Sequence, residues 1–228
     1  MEVPPLRARI LETVIRKSTL KQKVFDNTFA TFNLLKDTLL EMASEMDDAL
    51  DGKLDRRVRI EYRDRGKFEV QLQVANDLLI FQMHTDVFDF GPEHPVRQTP
   101  YVQGGPENAY CGVVNIYNFL SDSFKFNRNA DEGYLIGRLF INRERRFFVE
   151  GKGQTSVRAD AFGSAEIDRD ALVKVLEEAI AFALDFDLLT VPYDISARVT
   201  VDQFNTKMDN SKFVTGKRLG YEFDTQDI

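Results

Sequence analysis

The chain has 228 residues, 43% hydrophobic and 29% charged, which suits one domain able to bury a core without a disulfide or structural metal. Acids outnumber bases 37 to 30, and the formal net charge of −7 disfavours a general phosphate-binding surface and hence nucleic acid. The only cysteine, Cys111, rules out an intrachain disulfide scaffold. No run nears the ~18 apolar residues of a membrane span, and Met1 to Lys17 lacks the pattern of a signal peptide, so no membrane contact and a cytoplasmic location are expected.

Pro4 and Pro5 open a leader. Leu6, Ile10, Val14 and Ile15 then stand near helical spacing, which predicts a brief helix over 6–16. Thr19 is a candidate cap for a second, longer helix. Its apolar positions are Phe25, Phe29, Phe32, Leu35, Leu39, Met42, Met46 and Ala49, three or four residues apart, and they keep one face apolar. Packing on a sheet is the expected use of that face, with a coiled-coil or partner-binding helix as the alternative. Asp47, Asp48, Asp51 and Gly52 end the helical part, residues 1–54.

Residues 56–151 read as sheet. Val58, Ile60 and Tyr62 alternate with Arg57, Arg59, Glu61 and Arg63, as in a half-buried strand with a charged outer face. After the turn signal Asp64-Arg65-Gly66, residues 67–75 alternate again, with Phe68, Val70, Leu72 and Val74 inward. Asn76-Asp77 suggests a tight hairpin into a third strand over 78–87. The stretch 88–108 holds Pro92, Pro95, Pro100 and Pro106 with Gly91, Gly104 and Gly105, and is expected to be a long loop, functional or disordered. An apolar strand follows over 109–120, a polar loop over 121–131, and a hairpin of 134–141 with 146–150. Asp168 is a good N-cap for a helix over 168–187. The part from 188 to 228 reads as irregular apart from one strand, Ile195 to Val201. Strands grouped together and flanked by helices mean α+β: a mostly antiparallel sheet of five or six strands with N-terminal and C-terminal helices packed on it, in a single domain.

Candidate chemistry is sparse. The two histidines, His84 and His94, bracket Asp86, Asp89 and Glu93. On a strand, His84 and Asp86 share a face and present a nitrogen and an oxygen, and His94 returning from the loop would supply a third ligand to a divalent metal. Gly104-Gly105 precedes a strand rather than a helix, which does not suit phosphate binding. Cys111 falls in an apolar strand, where a free thiol behaves as a small hydrophobe. Arg57, Arg59 and Arg63, with Arg65, form a candidate stripe for an anionic partner. Residues 56–67 carry a local charge of +4 and residues 160–187 one of −6, a separation through which two copies or two proteins could meet. The 19 phenylalanines suit a core, an exposed aromatic groove or a pocket beneath the long helix. Together these features predict a non-catalytic binding or protein-interaction domain, self-associating or bound to another protein. The alternative is a metal-dependent enzyme centred on His84, Asp86 and His94.

Overall fold

The computed structural model describes residues 5–53, 55, 58–129, 131–151, 157–186, 193, 200 and 201. Six strands follow one another in a meander: β1 (Ile60–Asp64), β2 (Glu69–Val74), β3 (Asp77–Met83), β4 (Cys111–Leu120), β5 (Tyr134–Asn142) and β6 (Phe147–Gly151). Each is antiparallel to the next, and the spatial order equals the chain order. Alternation in the sequence sets the two faces. Val70, Leu72, Leu79, Phe81, Val114, Ile116, Leu139, Ile141, Phe147 and Val149 point to one side and form the main core with the helices.

Two helices cover that side. α1 (Pro5–Leu50) is one continuous helix of 46 residues, and the C-terminal helix, α4 below, lies beside it. The sequence placed a break near Thr19, but the chain has no Gly or Pro between Leu6 and Asp51. A threonine inside a helix costs only a few tenths of a kcal/mol, too little to end one. The buried ridge is also rotated from the predicted stripe. Leu20, Val24, Phe32, Leu35, Leu39 and Ala43 are buried, together with Asn27, Thr28, Thr31 and Thr38. Phe25 and Phe29 are half-buried against Phe68, with ring centroids 6.4 and 6.0 Å away. Thr28 and Thr38 can be buried because their hydroxyls donate to Val24 O (2.7 Å) and Leu34 O (2.8 Å), one turn back.

A helix of this length rises about 69 Å, whereas six strands span roughly 29 Å. The helix must therefore overhang the sheet, and it does so at its N-terminal end. Pro5 to Ile15 project from the core, Arg16 lies 3.7 Å from Glu107, and Leu20 is the first buried residue. The charges on α1 oppose its own dipole: the first turn has no acid and the last turn no base.

The other side of the sheet is covered in part by the segment predicted as a long loop. Residues 95–109 fold into the 3-10 turn Pro95–Gln98, the helical turn α2 (Pro100–Gln103) and the 3-10 turn Pro106–Ala109. Val96, Val102 and Ala109 pack there on Cys111, Val113, Phe140, Phe148 and Phe162, forming a second core. The prolines sit at the starts of these turns, where no N–H is needed. Phe88 and Cys111 exchange backbone hydrogen bonds of 2.8 and 2.9 Å, which tie the segment to β4.

Three smaller differences from the sequence reading have local causes. The hairpin of β2 and β3 turns at Ala75-Asn76, with Val74 paired to Asp77 and Ala75 in the left-handed region at φ 54°. The third strand ends at Met83, after which Phe88 pairs with Cys111 as an isolated bridge. Residues 121–125 form a short helix, α3 (Ser121–Lys125), in place of a loop. The helix α4 (Arg169–Leu184) begins as expected, with the Asp168 carboxylate accepting from Ala171 N at 2.8 Å. The strand expected at 195–201 falls almost wholly outside the described residues.

Candidate functional site

His84 leaves the end of β3, its amide donating to Val113 O at 2.9 Å. The ring Nδ1 accepts from Asp86 N at 3.0 Å and lies 3.9 Å from the Asp86 carboxylate, and the ring meets Phe88 edge-on at 4.9 Å. His94 goes elsewhere. Its Nε2 lies 2.7 Å from Glu150 Oε1, and its Nδ1 accepts from Val96 N at 3.3 Å, capping the turn at Pro95. An accepting Nδ1 puts the ring proton on Nε2, which then donates to Glu150. The other oxygen of Glu150 takes Arg138 at 2.6 Å. The structure thus keeps His84 with Asp86 and commits His94 to β6. Among the described residues, no three His, Cys, Asp or Glu side chains are placed to hold one metal ion.

The arginine stripe is largely occupied by neighbours. Arg57 lies outside the described residues. Arg59 precedes β1, and its carbonyl accepts from Ala75 N at 2.9 Å. Arg63 makes a two-pronged contact with Glu61 (2.9 and 2.6 Å) and reaches Gln73 at 3.2 Å. That hydrogen bond holds the Glu61 carboxyl below its ordinary pKa. Arg65 donates to Gln71 at 3.0 Å, and Gln71 to Glu69 at 2.9 Å. The outer face of β1 and β2 is therefore a mixed polar network rather than an open row of cations.

Cys111 is fully buried, and burial pushes its thiol pKa well up, away from a reactive thiolate. Tyr101 is raised to about 12, chiefly by burial, and its hydroxyl sits between Asn142 Nδ2 (2.9 Å) and Glu144 (2.7 Å).

Two surfaces stand apart from these satisfied networks. The first is the free part of α1. Leu6, Ile10, Leu11, Val14 and Ile15 are 52–69% exposed. They form two rows at steps of four, Leu6–Ile10–Val14 and Leu11–Ile15, on a rigid helix. Arg7, Arg9, Arg16 and Lys17 accompany them, against Glu12 alone. The sequence reading found this periodicity but not its exposure, because a separate short helix can fold back on the body and a continuous one cannot. The second is a groove of about 470 Å³ between the C-terminal half of α1 and α4. Met42, Met46, Val173, Ile180 and Leu184 line its apolar part, with Glu41, Glu45 and Glu177 among its charged residues. Arg169 reaches across it to Glu41. A concavity beside Arg16 and Lys17, about 480 Å³, holds Arg97 bonded to Asp89 and Arg143 bonded to Glu107.

Comparison with protein-family models, with curated proteins and with solved structures finds no match to this chain. No helix among the described residues is long and apolar enough to cross a membrane. The fold is an α+β meander with two helices on one face, and its most distinctive surface is a projecting, basic, apolar helix.

Proposed function

We propose that this protein is a non-catalytic, intracellular protein-interaction domain that docks through the projecting part of α1. One observation carries the reading: five large apolar side chains are exposed together on a helix that extends past its own core. Contiguous apolar surface on a rigid element lowers free energy when a partner covers it, and such surface marks interaction sites. The competing reading, a metal-dependent enzyme around His84, Asp86 and His94, has less support, since His94 would have to leave Glu150 to join the other two.

A photo-crosslinking amino acid at Ile10 in the full chain, expressed in cells, tests the proposal. A discrete adduct of higher mass is expected from Ile10 and none from Asn33, which is exposed further along the same helix. Absence of a discrete adduct from Leu6, Ile10 and Val14 alike would overturn it.

A further inference from the structure

We infer that the partner of the projecting helix is a second copy of this chain, and that its seat is the groove between α1 and α4. The inference rests on the interaction reading above and adds the occupant.

Charge carries the argument. Residues 5–23 contain six bases and one acid, whereas residues 37–51 contain six acids and no base. One helix is thus basic at its N-terminal end and acidic at its C-terminal end. Both ends oppose the helix dipole, which favours acids at the start and bases at the end. Within one copy this arrangement is unfavourable. Between two antiparallel copies it is complementary, because each basic end then lies along the acidic end of the other.

Shape agrees. Leu6 to Ile15 covers ten residues and the α1 wall of the groove, Thr38 to Ala49, covers twelve, so the two are about 14 and 17 Å long. The groove offers an apolar floor with Glu45 and Glu177 beside it, Glu41 being paired with Arg169, and the free helix offers apolar rows with Arg7 and Arg9 beside them against Glu12. The free helix and the groove occupy opposite ends of α1. Two copies arranged antiparallel about a two-fold axis bring each basic end toward the other copy's acidic end, and an assembly with that symmetry closes as a dimer. Two basic ends facing each other would repel, which disfavours pairing of the free helices alone.

An anionic membrane is the other surface that a basic, apolar helix would suit. The acid-lined groove of matching length favours a second copy.

The test is sedimentation equilibrium on the full chain with two charge-reversed proteins, one carrying Arg7→Glu and Arg9→Glu, the other Glu45→Lys and Glu177→Lys. All four positions are exposed, and the far-UV circular dichroism of both variants is expected to match wild type. Wild type is expected at twice the 26.2 kDa chain mass. Each variant alone is expected to dissociate at least tenfold more readily. An equimolar mixture is expected to regain the dimer, because the acidic helix of one then meets the basic groove of the other while the second contact is wild type. A monomeric wild type at about 50 µM, a dimer indifferent to both pairs of substitutions, or a mixture no tighter than its components would overturn the inference. So would a monomer that floats with phosphatidylserine vesicles. A monomeric chain that still crosslinks at Ile10 to a protein of different mass would sink self-pairing alone; a monomer with no adduct would sink the interaction reading as well.

Discussion

Asn142 shows how much of this fold hangs on one side chain. It is fully buried. Its amide donates to Tyr101 Oη (2.9 Å) and Asn108 O (3.1 Å), and its oxygen accepts from Glu144 N (2.9 Å) and Arg146 N (3.0 Å). Its own carbonyl accepts from Asn27 on α1 at 3.2 Å. The residue therefore joins the β5–β6 turn to the 95–109 segment and to the helix. Asn142→Ala strands the buried Asn108 carbonyl and three part-buried partners, and a loss of about 3 kcal/mol in urea unfolding is expected. Its neighbour Tyr101 gives a pH signature. The unfolded phenol ionises near pH 10, while the folded one holds its proton to about pH 12. Stability from this group is complete below pH 10 and is lost as pH rises from 10 to 12. Tyr101→Phe is expected to lose about 1 kcal/mol at neutral pH through the missing hydrogen bonds, and to show a shallower decline than wild type across that alkaline window.

Between elements, α1 approaches β4 closely at Gly112. A Cβ on Gly112 would meet the Thr28 side chain, coming within 2.9 Å of Thr28 Cβ. That Cβ is fixed to a docked helix and cannot swing away. Gly112→Ala is therefore expected to cost about 2–3 kcal/mol, partly recovered in the double variant with Thr28→Ala, as a double-mutant cycle by urea unfolding would show. The projecting end of α1 behaves oppositely. Removing residues 1–17 takes away the projecting end, with the Arg16–Glu107 contact, and leaves the buried residues of α1 in place, so the urea midpoint of the monomer is expected to move little. A loss above about 2 kcal/mol would mean that this end packs on its own body. The elements themselves were mostly legible. Alternation in 58–74 and the spacing of Leu172, Val175, Leu176 and Ala179 follow directly from one-sided burial. The unbroken α1 was not, because Thr19 looks like a cap and only the surrounding helix formers show that it is none. The order in 88–108 was also missed. Its signal lay in the strands: Cys111 to Ile116 and Phe140 with Phe148 are apolar on both faces, so the second face needs a cover.

At the scale of the molecule, the sheet lies between two cores, and the basic apolar helix projects beyond both. The candidate metal residues were legible as a cluster in sequence, but proximity along the chain did not decide where His94 turned; Glu150, 56 residues away, did. The interaction surface was legible as composition and not as exposure, which depends on the length of α1 against the width of the sheet. If charge holds two copies together as inferred, dissociation is expected to increase by about tenfold between low salt and 0.5 M sodium chloride, because exposed charges are screened; a dimer insensitive to salt would point to apolar contact alone.

The position of α1 in the chain also bears on how the protein is made. The helix emerges from the ribosome before the sheet that covers its buried ridge, which is complete only at Gly151, roughly 100 residues later. At about 5–20 residues per second, Phe32, Leu35 and Leu39 wait on the order of 5–20 seconds without their floor. During synthesis the growing chain carries an amphipathic helix with both its core-facing ridge and its projecting rows uncovered, a form suited to recognition by a nascent-chain chaperone.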